Sequence, residues 1–196
     1  MTAFITRCLR NVSLLGWLAC AALPAWSDGI SASRSEAELV DGQLSVSTRF
    51  NVKLSNTLYQ TLTQGIPLSF RLEFELTRPR ATAYYLSVKE WFDPHASMAF
   101  KLSYQPLTNR YRVTIGSLST YYQSLDKALA ALGAIQGWRV LEPGTLSGVS
   151  ADKVAGRVKL ELDIGELPKP FQLNALGSPD WGLASSWTNL DVKGGG

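Results

Sequence analysis

Residues 66–77 read IPLSFRLEFELT. Ile66, Leu68, Phe70, Leu72, Phe74 and Leu76 fall on one side of an extended chain, and Ser69, Arg71, Glu73, Glu75 and Thr77 on the other. Successive strand side chains point to opposite faces, so this alternation predicts one buried and one wetted face. A charged face this regular belongs to an antiparallel sheet, because parallel sheets are covered on both sides and read as continuous apolar runs. The same period recurs upstream, where Leu44, Val46, Thr48, Phe50, Val52 and Leu54 alternate with Ser45, Ser47, Arg49, Asn51 and Lys53. It recurs downstream in a long strand over Val154–Ile164, where Val158, Leu160, Leu162 and Ile164 oppose Arg157, Lys159, Glu161 and Asp163.

Between these stretches the patterns are shorter. Met98–Tyr104 and Arg110–Ile115 predict a hairpin around the turn QPLTN, with LSTYYQS extending or bending its second arm. Trp138–Leu141 reads as a short strand. Residues 77–97, with two prolines and four aromatics, read as an irregular crossing with a strand through Tyr85 to Val88. Two helices are expected: one capped by Ser55 or Asn56, with Leu58 and Leu62 on one face and Gly65 as the stop, and LDKALAALGAI capped by Ser124. Strand, capped helix, glycine and strand thus occur over 43–77 and again over 110–141, an echo in pattern rather than in residues. The fold class is mainly β (α+β): an antiparallel β-sandwich or bent sheet of about seven strands with two short helices.

The chain divides into four parts. Residues 1–27 open with a purely basic segment carrying Arg7 and Arg10, followed by an uncharged apolar run from Val12 to Ala25. That run has signal-peptide length and falls short of the roughly 20 residues that span a bilayer. Pro24, Ala25 and Ser27 supply a helix break and small residues for a cut after Ser27, so a Sec-type signal and a periplasmic or exported protein are expected. The alternatives are an uncleaved anchor and, through Cys20, a lipoprotein. Residues 28–41 read as a flexible leader, 42–190 as one β-rich domain, and 191–196 as a disordered tail. Within the domain Pro168 and Pro170 predict extended backbone. Phe171, Leu173, Leu176, Trp181, Leu183 and Trp187 predict a segment that wraps over the core and seals a sheet edge, or docks a partner.

Composition narrows the chemistry. Both cysteines, Cys8 and Cys20, lie in the first 27 residues, so the mature domain holds no disulfide. Those residues contain two of the 19 basic groups and none of the 16 acidic ones, leaving a nearly neutral domain with no footprint for nucleic acid. His95 is the one imidazole, and a metal site needs several converging ligands, so no metal and no cofactor is expected. A Ser–His–Asp set could be drawn from Asp93, His95 and Ser97 or Ser103, but no nucleophile-elbow motif accompanies it. Glu73 with Glu75, and Glu161 with Asp163, sit at strand spacing and could serve a glycan hydrolase. Arg71, Arg157 and Lys159 interleave with them, which favours cross-strand ion pairs. The expectation is therefore a protein that is not an enzyme.

The residues for an interaction surface are basic and aromatic: Arg78, Arg80, Arg110 and Arg112, with Tyr84, Tyr85, Tyr121, Tyr122, Trp181 and Trp187. Adjacent aromatics in a strand face opposite ways, so one of each pair is expected outside, where it would suit a protein or a glycan.

QGIPLSFRLEFELTRPR, LSYQPLTNRYRV, SLDKALAAL followed by Trp138, and LPKPFQLNALGSPDWGLASSW occur in this order along nearly the whole mature chain. In these motifs the sequence resembles the exported proteobacterial family described as domain of unknown function 4390. The family often shows one or more tryptophans after its T-R-P-R element, where this chain has ATAYYL. The resemblance implies an envelope protein often encoded beside an NtrY/NtrX-type sensor kinase and response regulator, and it carries over no catalytic residue. The expected function is a non-enzymatic periplasmic interaction domain that modulates the extracytoplasmic part of a sensor kinase. The alternatives are an envelope glycan- or lipid-binding module and a carboxylate-dependent glycan hydrolase.

Overall fold

The computed structural model describes residues 29–78 and 94–195. The signal segment, Arg80, Tyr84, Tyr85, Asp93 and the strand expected through Tyr85 to Val88 lie outside the described residues. Among the described residues the chain forms β1 (Ile30–Val40), β2 (Gln43–Val52), α1 (Asn56–Thr63), β3 (Leu68–Arg78), β4 (His95–Gln105), β5 (Arg110–Ile115) and β6 (Leu118–Tyr122). It continues with α2 (Leu125–Leu132), β7 (Ala134–Arg139), β8 (Ala155–Leu162), α3 (Lys169–Ala175), β9 (Thr188–Asn189) and β10 (Asp191–Gly194).

The strands make two sheets packed as a sandwich, one ordered β10-β1-β2-β7 and the other β6-β5-β4-β3-β8-β9. Every neighbouring pair is antiparallel except β1 with β10. The alternation that predicts the strands also fills the space between the sheets. Leu44, Val46 and Phe50 of β2 are buried, as are Phe70, Leu72 and Phe74 of β3, Phe100 and Leu102 of β4, and Val158 and Leu160 of β8. Each such side chain contributes about 1.5–3 kcal/mol through removal from water.

Each of the two Ser-capped helices makes a crossing between the sheets, and the segments from β7 to β8 and from β9 to β10 make the others. The chain leaves the four-stranded sheet at β2 and enters the six-stranded one at β3 through α1, and it returns from β6 to β7 through α2. The Ser55 hydroxyl accepts from the Leu58 N–H at 3.2 Å, and the Ser124 hydroxyl from the Lys127 N–H at 3.4 Å. Leu58 and Leu62 of α1, and Ala128, Leu129 and Leu132 of α2, are buried.

Four expectations are corrected. The leader over 28–41 is instead mostly β1, paired with β2 from Ile30↔Val52 to Val40↔Gln43. A bulge between Ala32 and Arg34 switches which parity faces inward, from Ile30 to Ala37 and Leu39, so no continuous period of two shows in the residues. The tail over 191–196 is ordered as β10 through Gly194, in parallel register with β1. The strand expected at Trp138–Leu141 is β7 at Ala134–Arg139, with a register shift at Gln136 and Gly137. Lys169–Ala175 is a helix rather than extended chain, because Pro170 stands in its first turn, where a missing N–H costs nothing.

Beyond α3 the chain lies along β8. The Leu162 N–H donates to the Leu183 carbonyl at 2.7 Å, the Ser185 N–H to Leu160 at 2.8 Å, and the Leu190 N–H to Gly156 at 2.9 Å. That edge of the six-stranded sheet is covered.

Candidate functional site

The outer face of the six-stranded sheet carries the chemistry the alternation keeps out of the core. On β3 and β8 the register sets Arg71 opposite Glu161, Glu73 opposite Lys159, and Glu75 opposite Arg157. On the other side of β3, Ser97 stands opposite Glu73 and His95 opposite Glu75. Each cross-strand position thus brings a cation or a small polar group to a carboxylate.

The ion pairs follow partly along and partly across these rows. Arg157 reaches one oxygen of Glu75 with two nitrogens, at 2.8 Å from Nε and 2.6 Å from Nη2. Lys159 pairs with Glu161 on its own strand, and Arg71 with Asp163. Glu73 has no ion-pair partner among the described residues. Partly exposed pairs of this kind contribute about 0–1 kcal/mol each, so the ladder organises the face more than it stabilises the fold.

Trp187 stands at the rim of this ladder. It is 37% exposed, with the Arg157 guanidinium 4.6 Å from its ring centre and the Lys159 ammonium 6.0 Å away. A cation over the indole face is attracted by the ring quadrupole, worth about 0.5–1 kcal/mol at an exposed site. Arg71, Glu73, Glu75, His95, Ser97 and Trp187 line a shallow concavity of about 390 Å³.

The remaining sequence candidates separate. Arg112 and Tyr121 are register partners on the outer face, and Arg112 Nε donates to the Ser103 hydroxyl at 3.4 Å. Arg110 is exposed at the start of β5, while Tyr122 is half-buried on the inner face opposite Tyr111. Arg78 ends β3. Trp181 is corrected as a surface residue: a short 3-10 turn over Pro179–Trp181 turns its ring inward, 5.9 Å from Phe171, leaving it 5% exposed. His95 and Ser103 stand at opposite ends of β4, about 27 Å apart at strand rise, so of the two serines only Ser97 shares the concavity with His95, and Asp93 lies outside the described residues. Among the described residues no group of three or more His, Cys, Asp or Glu converges as a metal would need. No described helix is long and apolar enough to cross a membrane.

The family model described as domain of unknown function DUF4390 matches residues 27–191. The chain belongs to the DUF4390 family. Neither the curated proteins nor the solved structures hold a significant match to it. In this DUF4390 protein the ladder lies wholly within the matched span, as does Trp187. Pairing Arg157 with Glu75 joins residues 82 positions apart, a contact that strand order alone decides. The one signal for it in the residues is the complementary sign pattern of RLEFE at 71–75 and RVKLE at 157–161.

Proposed function

We propose that this DUF4390 protein is an exported, non-enzymatic binding module that docks a protein partner on the outer face of its six-stranded sheet. The observation that carries this reading is the Trp187–Arg157–Glu75 chain, a fixed aromatic and a fixed charge at the rim of a concave, solvent-facing ladder. Tryptophan and arginine are the side chains enriched where binding energy concentrates, and holding them in place beforehand reduces the ordering cost of association. The occupant follows from the family resemblance: the extracytoplasmic region of a membrane sensor kinase.

Deleting the gene and following phosphorylation of the cognate response regulator tests this reading. Altered phosphorylation, restored by the wild-type gene and not by an Arg157→Ala, Trp187→Ala double variant, is expected. Unchanged phosphorylation across inducing conditions contradicts it.

One observation favours a second reading. Glu73 has no ion-pair partner among the described residues and lines the same concavity as Trp187, and a carboxylate with an aromatic in a concavity suits a sugar ring of the envelope. Glycan-array binding lost on Glu73→Gln would support that reading, and phosphorylation unaffected by the same substitution would separate it from the first.

A further inference from the structure

The four sheet edges are not alike. Beyond β8 the six-stranded sheet ends in the two-residue β9, within an irregular chain from Leu183 to Leu190 bonded along β8. β7 carries a bulge with Gly137 at φ 64° and ends in Arg139. β10 is short and carries Asp191 and Lys193. Coverage, bulges, charges and brevity are the usual means by which proteins keep edges from pairing. β6 has none of the first three. Residues 117–123, SLSTYYQ, contain no charge and no proline, and among the described residues β6 has no strand partner beyond β5. Leu118 is 68% exposed, Tyr121 48% and, beside them on β5, Ile115 38%.

The hairpin geometry says which backbone groups face outward. Ile115 and Leu118 close a two-residue turn with Gly116 at φ 56°, the first central position where a type II′ turn places glycine. The closing pair of such a turn exchanges both hydrogen bonds, so the N–H and C=O of Leu118, Thr120 and Tyr122 point to β5. Those of Ser119 and Tyr121 therefore point away from the sheet.

We infer that β6 is a self-association edge, at which a second copy of the chain pairs antiparallel about a two-fold axis through Thr120. In that register Ser119 meets Tyr121 of the other copy twice, and each pair exchanges two backbone hydrogen bonds, satisfying all four outward groups of each edge. Thr120 meets its own copy in the close, non-hydrogen-bonded position. Leu118 meets Tyr122 on the inner face, so the exposed leucine gains an aromatic cover. Because the strand holds no charge, no like charges are brought together, which is the condition a homotypic edge must meet. A five-residue edge is a small interface, so the dimer is expected to be weak and to depend on concentration.

The test uses protein expressed from the full-length gene and purified as the cell leaves it. Sedimentation velocity from about 1 to about 200 μM should show the wild type shifting from monomer to dimer mass. Thr120→Glu and Thr120→Lys each set like charges face to face on the axis and should weaken the dimer by about 100-fold or more. Mixing the two variants in equal amounts should restore it. Amide exchange supplies a reading independent of the variants: Ser119 and Tyr121 should gain protection with concentration, while Thr120, bonded within its own hairpin, should not change. A wild type that stays monomeric overturns the inference, as does dimerisation of Thr120→Glu alone at wild-type strength. Ser119 and Tyr121 amides protected only by a different protein would assign the edge to that partner and equally overturn self-pairing.

Discussion

The Arg157 guanidinium is held between two partners, the Trp187 ring at 4.6 Å and the Glu75 carboxylate at 2.6 Å. It thereby ties the covering C-terminal segment to the central strand of the six-stranded sheet. Arg157→Ala should lower stability by about 1 kcal/mol, the sum of a weak ion pair and an exposed cation–π contact. A double-mutant cycle of Arg157 and Trp187 in urea should return a coupling of about 0.5–1 kcal/mol. Zero coupling would mean that the indole is held by the backbone of its segment alone.

Thr48 and Ser35 are register partners on β2 and β1, and neither side-chain hydroxyl has a hydrogen-bond partner among the described residues. Burying an unsatisfied hydroxyl costs free energy that an apolar group of the same shape does not. Thr48→Val should therefore stabilise the protein by about 1 kcal/mol, read as a rise in Tm of about 2–4 °C. A fall in Tm would show that the hydroxyl is satisfied in solution.

Gly133 ends α2 where the chain turns against β2. Its carbonyl accepts from the Phe50 N–H at 2.9 Å, and a Cβ there would collide with the Phe50 carbonyl oxygen. Both partners are backbone, so neither can rotate away. Gly133→Ala should cost about 2–3 kcal/mol in chemical denaturation. Gly65, whose added Cβ would meet nothing within 4 Å, provides the contrast, since any cost there comes from its φ of 88° alone.

Burial pushes the Tyr111 phenol above its ordinary value, with Tyr59 and Tyr104 adding to the shift. The Tyr104 ring lies 5.0 Å away. The folded state thus favours the protonated phenol, so this contribution is intact below the unfolded value of about pH 10 and is lost as pH rises through the higher folded value. Urea midpoints measured at about pH 9, 10 and 11 should fall for the wild type and fall less for Tyr111→Phe. Parallel declines would remove Tyr111 from the alkaline transition.

The strands with unbroken alternation were legible because burial on one face imposes a period of two on the residues. β3 shows it from Leu68 to Leu76, and β8 from Gly156 to Leu162. β1 was hidden by the same physics: one extra residue at Ser33 moves the inward parity, and the apolar positions no longer fall in step. β10 was hidden because a parallel edge strand needs backbone partners and few apolar side chains. The polar candidates of the outer face were visible as residue types, but their partners depended on β3 lying between β4 and β8. No local pattern encodes that order. Trp181 and Trp187 look alike in sequence, and only the turn at Pro179 sends one into the core and leaves the other at the rim.

The Trp187–Arg157 rim is the proposed docking surface for an extracytoplasmic kinase region. Isothermal titration of that purified region against wild-type protein and against Arg157→Ala and Trp187→Ala tests it most directly. A one-to-one complex, weakened at least about tenfold by each substitution while both variants remain folded by circular dichroism, is the predicted result. No heat of binding with the wild type, or an affinity that neither substitution changes, would contradict it.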